Sequence, residues 1–204
     1  MWRFFKRMKD RNRLRKGLID EVFHPMFEPY QGQEVVSLDC ETTSLDTREA
    51  EIVSIAAVIV SKNRIFAARC FDVRVQAPKS LSSDSIKIHK LRAIDLEGGL
   101  PLLTCLRELL EFVGNRPIIG YYLSYDIAIL ERYMRQSFGF GFPNKLIEIS
   151  QFYARKSRQP FGAAAHDLRL DTILHQLKLP FLPRHNALDD AITVGLIYIR
   201  LSNT

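Results

Sequence analysis

Three consecutive extended segments constrain this chain more than any other feature of its sequence. Residues 35–39 are a short β-branched run, residues 52–60 are almost wholly apolar, and residues 64–75 alternate in polarity. β-Branched side chains pack well on a pleated surface, so each segment reads as a strand. The connections between them are short, which predicts neighbours in one sheet. Beyond them the period changes. Leu103, Leu106, Leu110 and Val113 recur at helical spacing within residues 100–113. Residues 117–122 form an apolar strand, 127–138 are helical again, and 147–149 are a weak strand. Leu170–Leu177 and residues 188–201 complete the pattern as helices. Strands first, then helix alternating with strand, predict an α/β sheet covered by helices.

Size and composition permit such a core. The chain has 204 residues, 47% hydrophobic and 25% charged, which suits one domain plus an appendage. It holds no apolar run long enough to span a bilayer, and no apolar leader with a small-residue cleavage site. Cys40, Cys70 and Cys105 are odd in number and widely spaced. That pattern predicts reduced thiols and a cytoplasmic location.

Charge separates the appendage from the body. Residues 1–16 carry eight cationic side chains against the single acid Asp10, a local charge of +7 in a chain whose total is +6. The remaining 188 residues therefore sum to −1, so any phosphate affinity of the body must come from local geometry or bound metal. A helix over residues 1–23 would set Trp2, Phe5, Met8, Ile19, Val22 and Phe23 to one side, interrupted by Arg11 and Arg15. Pro25, Pro29 and Gly32 then break the pattern. We expect a basic helix and linker at 1–32 and the main domain at 33–204.

Three segments carry candidate chemistry. In Ser37-Leu38-Asp39-Cys40-Glu41-Thr42-Thr43, two acids stand two apart at the end of an apolar strand. On a strand such residues share a face, and the intervening Cys40 points to the other. Two adjacent carboxylates repel unless neutralised, and a divalent cation does that well. In Gly120-Tyr121-Tyr122-Leu123-Ser124-Tyr125-Asp126, an apolar strand runs into a turn and an acid sits where the next helix begins. Alone, Asp126 reads more readily as an acid favoured by the helix dipole. In Pro183-Arg184-His185-Asn186-Ala187-Leu188-Asp189-Asp190, a His and an Asp five apart would lie about 140° apart on a regular helix. They converge only if His185 sits on the preceding loop, and spacing alone does not choose between Asp189 and Asp190.

In this order the three segments resemble the DEDDh family of 3′–5′ exonucleases, to which the proofreading epsilon subunit of bacterial DNA polymerase III belongs. The family pattern is D-x-E-T-T, a central acid after an apolar strand, and a final H-x-x-x-x-D. Here those positions are Asp39 with Glu41, Asp126, and His185 with Asp190. The resemblance spans roughly residues 33–202 and selects Asp190 over Asp189. Asn186 excludes the subfamily that carries Tyr-x-x-x-Asp in the third motif.

The resemblance implies a ribonuclease H-like mixed sheet of about five strands with helices on both faces. It also implies two divalent cations, Mg²⁺ or Mn²⁺, about 4 Å apart and clamping the scissile phosphate. Asp39, Glu41, Asp126 and Asp190 are the implied metal ligands. His185 is the implied base, since imidazole titrates near neutral pH. Thr42, Thr43 and Leu45 match the stretch that meets the terminal nucleotide, with Thr42 at the 3′-OH and Leu45 wedged against the last base. Tyr121 and Tyr122 replace a more usual His-Asn, in a place where they either stack on bases or pack in the core at the strand end. Ser44 and Lys90 stand where Gly is usual.

The implied partner is a single-stranded or frayed 3′ end, with DNA the leading substrate and RNA the alternative. For the basic tail three partners remain open: nucleic acid, an anionic membrane surface, or a protein. Residues 176–181, Gln-Leu-Lys-Leu-Pro-Phe, resemble a sliding-clamp-binding peptide. Leu177 and Leu179 are expected in the core, so we read the segment as structural. His24, His166 and His175 lack an acidic partner at useful spacing and are given no role.

Overall fold

The computed structural model describes residues 11–157 and 167–203. Its sheet is built around strand β2 (Ile52–Ser61), in which every residue but the last is buried. A strand buried on both faces must be covered on both. β2 pairs antiparallel with β1 (Glu34–Thr42) on one side and β3 (Arg64–Arg74) on the other. β1 pairs in parallel with β4 (Ile118–Gly120), and β4 in parallel with β5 (Leu146–Glu148). The order β3-β2-β1-β4-β5 is the mixed five-stranded sheet expected from the sequence.

Six helices follow: α1 (Ser83–His89), α2 (Leu102–Val113), α3 (Leu123–Phe138), α4 (Ile149–Lys156), α5 (Leu170–Leu177) and α6 (Ala187–Ser202). They build two cores, one on each face of the sheet. In the first, Val36 and Leu38 meet Leu106, Leu109 and Leu110 of α2 and Ile129, Leu130 and Met134 of α3. In the second, Val35 and Ile119 meet Ile149 of α4, Ile173 and Leu174 of α5, and Ala191, Val194 and Ile197 of α6. Alternation along β1 therefore assigns its odd-numbered residues to the α6 face. Cys40 packs with the first core. Asp39 and Glu41 consequently emerge on the side where α6 begins.

The departures from expectation have local causes. The strand foreseen at 117–122 ends at Gly120, because Tyr122 takes a left-handed conformation (φ 52°) and opens α3. Two helices carry no clear periodicity and were not foreseen. α1 is started by a capping box between Ser82 and Ser85, and α4 by Glu148 accepting from Ser150 N.

The reading of 1–32 as an appendage is corrected in its second half. Residues 21–27, assigned to the helix end and linker, form a 3₁₀ turn that buries Phe23, Met26 and Phe27 in the first core. The rings of Phe23 and Phe27 meet those of Phe138 and Phe140 edge-on or tilted. Residues 11–15 are helical, but the helix stops before Gly17, whose backbone lies against that of Gly139. Ile19 and Val22, expected on an apolar side, are exposed. Residues 1–10, with Trp2, Phe5, Met8 and half of the basic cluster, lie outside the described residues, as does His166.

In the clamp-like segment Leu177 and Leu179 pack on the second core, as expected, and Lys178 caps α5. The three cysteines are free thiols. Among the described residues no helix is long and apolar enough to cross a membrane.

Candidate active site

The carboxyl end of β1 carries Asp39 and Glu41, and the first turn of α6 brings Asp190 against them. One ligand oxygen from each of Asp39, Glu41 and Asp190 lies within 4.8 Å of the others. Asp126, in the first turn of α3, is buried beside this group without belonging to it; its charge acts on Asp39, and the charge of Glu41 acts on it. Asp189 lies outside the group; burial first, and then the charge of Asp189, push the Asp72 carboxyl on β3 upward. Tertiary packing thus decides between the two adjacent acids that spacing left open.

Each helix start is secured separately. Asn186 Oδ1 accepts from Leu188 N and Asp189 N and so begins α6 at Ala187, two residues after His185. His185 lies on the loop in a left-handed conformation (φ 65°) with its side chain exposed, as convergence with Asp190 requires. Its backbone N–H donates to Asp190 Oδ2 at 3.0 Å. α3 has no cap of its own. Glu148, from the end of β5, accepts from Tyr122 N at 3.2 Å and Leu123 N at 2.9 Å. Glu148 is a site residue that sequence reasoning missed, because its partners are 26 and 25 positions away on another element.

Electrostatically the cluster is under tension. Burial, then the charges of Asp126, Asp190 and Glu41, push the Asp39 carboxyl well above the usual carboxylate range. Burial and Asp190 push Glu41 up to about 7, with Arg184 opposing. Burial, Glu41 and Glu148 push Asp126 well up, against a backbone hydrogen bond. Arg184 is the second residue that sequence reasoning passed over, and its Nε donates to Asp190 Oδ1 at 2.8 Å.

Four acids gathered at a strand end, three of them with converging oxygens, are a hard-oxygen donor set of the kind that takes Mg²⁺ or Mn²⁺. The chemistry of the residues therefore fits a divalent cation.

The shifts fix a pH dependence. A carboxyl whose folded pKa is raised holds its proton in the folded state after the unfolded chain has lost it. Stability then falls as pH rises between the two values. For Glu41 that window runs from the ordinary 4.5 to about 7. Without divalent cations the protein is expected to lose on the order of 3 kcal/mol across that window from Glu41 alone. Added Mg²⁺ should raise the melting temperature at pH 8 much more than at pH 5. Melting curves at the two pH values, with and without Mg²⁺, check this. A flat profile without metal contradicts it.

The predicted substrate-facing residues divide. Leu45 is 86% exposed and Tyr122 is 69% exposed. Tyr121 instead packs against the second core and donates its hydroxyl to Leu168 O at 3.1 Å. Thr42 Oγ1 stands 2.7 Å from the hydroxyl of Tyr125, which also bonds Ser44 O. Thr43 is turned inward: its hydroxyl meets Ser80 Oγ at 2.7 Å and accepts from Glu51 N at 3.0 Å, which ties down the loop. The inward turn follows from alternation past Thr42 together with a shift in register at that point of β1. The His89 imidazole is buried with Nδ1 accepting from Leu91 N, and Lys90 takes the left-handed conformation (φ 61°).

The exonuclease family model, RNase T, matches residues 36–198. The PolC-type DNA polymerase III of Thermotoga petrophila is 23% identical over 84% of this chain, which corresponds to 12% of that protein. The DNA polymerase III epsilon subunit of Aquifex aeolicus is 25% identical over 93% of this chain and 84% of its own length. This chain therefore spans a small part of the first relative and most of the second. Among solved structures, the nuclease domain of 3′hExo, a DEDDh family member, bound to rAMP superposes with a TM-score of 0.68. It is 17% identical, covering 86% of this chain and 94% of that one. At that identity the likeness concerns the fold, which is ribonuclease H-like.

Proposed function

This chain belongs to the exonuclease family, and we propose that it is a DEDDh, epsilon-like 3′–5′ exonuclease that shortens DNA from the 3′ end, releasing nucleoside 5′-monophosphates. The observation that carries the reading is the convergence of Asp39, Glu41 and Asp190 at the carboxyl end of β1, with Asp126 buried beside them.

In this reading Asp39, Glu41 and Asp190, supported by Asp126, hold two divalent cations, Mg²⁺ or Mn²⁺. When bound, these supply neutralisation of the phosphate and activation of water. The protein's own groups do the rest. His185, exposed on its loop beside Asp190, takes the proton from the attacking water. The backbone bond from His185 N to Asp190 Oδ2 keeps base and carboxylate in fixed relation. Leu45 and Tyr122 offer exposed apolar surface to the last bases, and stacking there is tolerant of sequence. Thr42 and Thr43 shape the loop that presents Leu45. Polymerase-III relatives favour DNA as the substrate and DNA-end proofreading, repair or trimming as the setting.

The test is a panel of end-labelled single-stranded DNA, mismatched duplex DNA and RNA of the same sequence, with Mg²⁺ or Mn²⁺. The expected result is stepwise loss of single nucleotides from DNA 3′ ends, faster than from RNA. Faster digestion of RNA would make the protein an exoribonuclease. Digestion that persists in excess chelator would remove the metal from the reading.

A further inference from the structure

The cluster already contains a cation of its own. Arg184 Nε donates to Asp190 Oδ1 at 2.8 Å, and its Nη1 donates to Asp171 Oδ1 on α5 at 3.2 Å. The second oxygen of Asp190 accepts from His185 N at 3.0 Å. Both oxygens of Asp190 are thus engaged by protein donors, although Asp190 also belongs to the acidic group with Asp39 and Glu41. The guanidinium further favours the ionised forms of Asp39 and Glu41. Its two anionic partners differ in setting. The Asp190 side chain is 12% exposed and that of Asp171 is 73% exposed.

A dication among Asp39, Glu41 and Asp190 repels the guanidinium and competes for Asp190 Oδ1. Asp171 lies outside that group and remains available to Arg184. Arginine suits the arrangement, because its planar fork can keep one anion while releasing another. We propose that Arg184 is a placeholder cation: it neutralises Asp190 in the metal-free protein and yields that oxygen to an entering divalent cation by moving its hydrogen bonds to Asp171. The inference rests on the metal-dependent reading above. Arg184 is then a positioning residue that sets metal affinity.

The test is Mn²⁺ binding, followed by the paramagnetic resonance of the free ion, together with melting curves with and without Mn²⁺. Arg184→Gln should bind Mn²⁺ roughly tenfold more tightly, because a competing charge beside the ion is gone. It should melt lower than wild type without Mn²⁺ at pH 8 and like wild type at saturating Mn²⁺. Asp171→Asn removes the receiving anion, so it should bind Mn²⁺ about threefold or more weakly while folding normally. Opposite signs in the two variants mark the placeholder. A simple staple between α5 and the α6 loop would lower both melting temperatures equally with and without Mn²⁺ and leave affinity alone. That result, or weaker Mn²⁺ binding by Arg184→Gln, overturns the proposal. If the wild-type protein binds no Mn²⁺, the metal-dependent reading itself falls and takes the placeholder with it.

Discussion

Asp39→Ala is expected to abolish nuclease activity and to make the metal-free protein melt higher than wild type at pH 8. The two effects come from one cause. Asp39 is the acid on which the others act most: burial and the charges of Asp126, Asp190 and Glu41 all oppose its ionisation. Removing it relieves that repulsion, so the fold gains when no cation is present. The same removal takes away a ligand from the group of converging oxygens. A metal in such a site contributes several kcal/mol of transition-state stabilisation, so the rate should fall by on the order of 10³-fold. Glu41→Ala, Asp126→Ala and Asp190→Ala should follow in activity. Asp190→Ala should gain least in stability, because it leaves Arg184 without its nearer partner. Single-turnover rates on DNA and melting curves read both effects. Wild-type turnover by Asp39→Ala would sink the assignment of the site.

His185→Ala should lower kcat by about 10²–10⁴-fold, the usual contribution of a general base, with metal affinity nearly unchanged. The structure explains why the two should separate. The His185 side chain is outside the group of converging ligand atoms. Its link to Asp190 runs through the backbone N–H, which alanine keeps. The left-handed backbone at position 185 (φ 65°) adds a cost of roughly 1–2 kcal/mol for residues that tolerate it poorly. His185→Asn is therefore the companion variant, since Asn accepts that conformation more readily. Equal loss of kcat in both variants, with Mn²⁺ binding intact, identifies loss of the base as the cause. A collapse of Mn²⁺ affinity would instead make His185 a ligand and remove the base from the mechanism.

Much of this molecule is legible in the chain because the relevant information is periodic and local. The apolar run at 52–60 announces the central strand, and a period of two on β1 places Asp39 and Glu41 on one face with Cys40 on the other. The pattern of helices over 170–201 needs only spacing, and Asn186 before Ala187 supplies the cap that frees His185 from the helix. Other features depend on residues distant in sequence. Phe23, Met26 and Phe27 look like a proline-broken linker until Phe138 and Phe140 are brought against them. Tyr121 and Tyr122 are indistinguishable as neighbours, yet one turns to the core and the other to solvent because the backbone reverses hand at position 122. Spacing allowed either Asp189 or Asp190 to face the site, and the docking of α6 on the β1 face chose Asp190. Arg184 and Glu148 carry no motif at all. Their roles arise when α5, α6 and β5 bring charges together that are far apart along the chain or unremarkable in it. The sequence by itself determined which chemistry this protein carries, because strand and helix periods are properties of consecutive residues. Tertiary structure alone decided which charges oppose and which offset one another, because Coulomb interactions depend on separation in space and on burial.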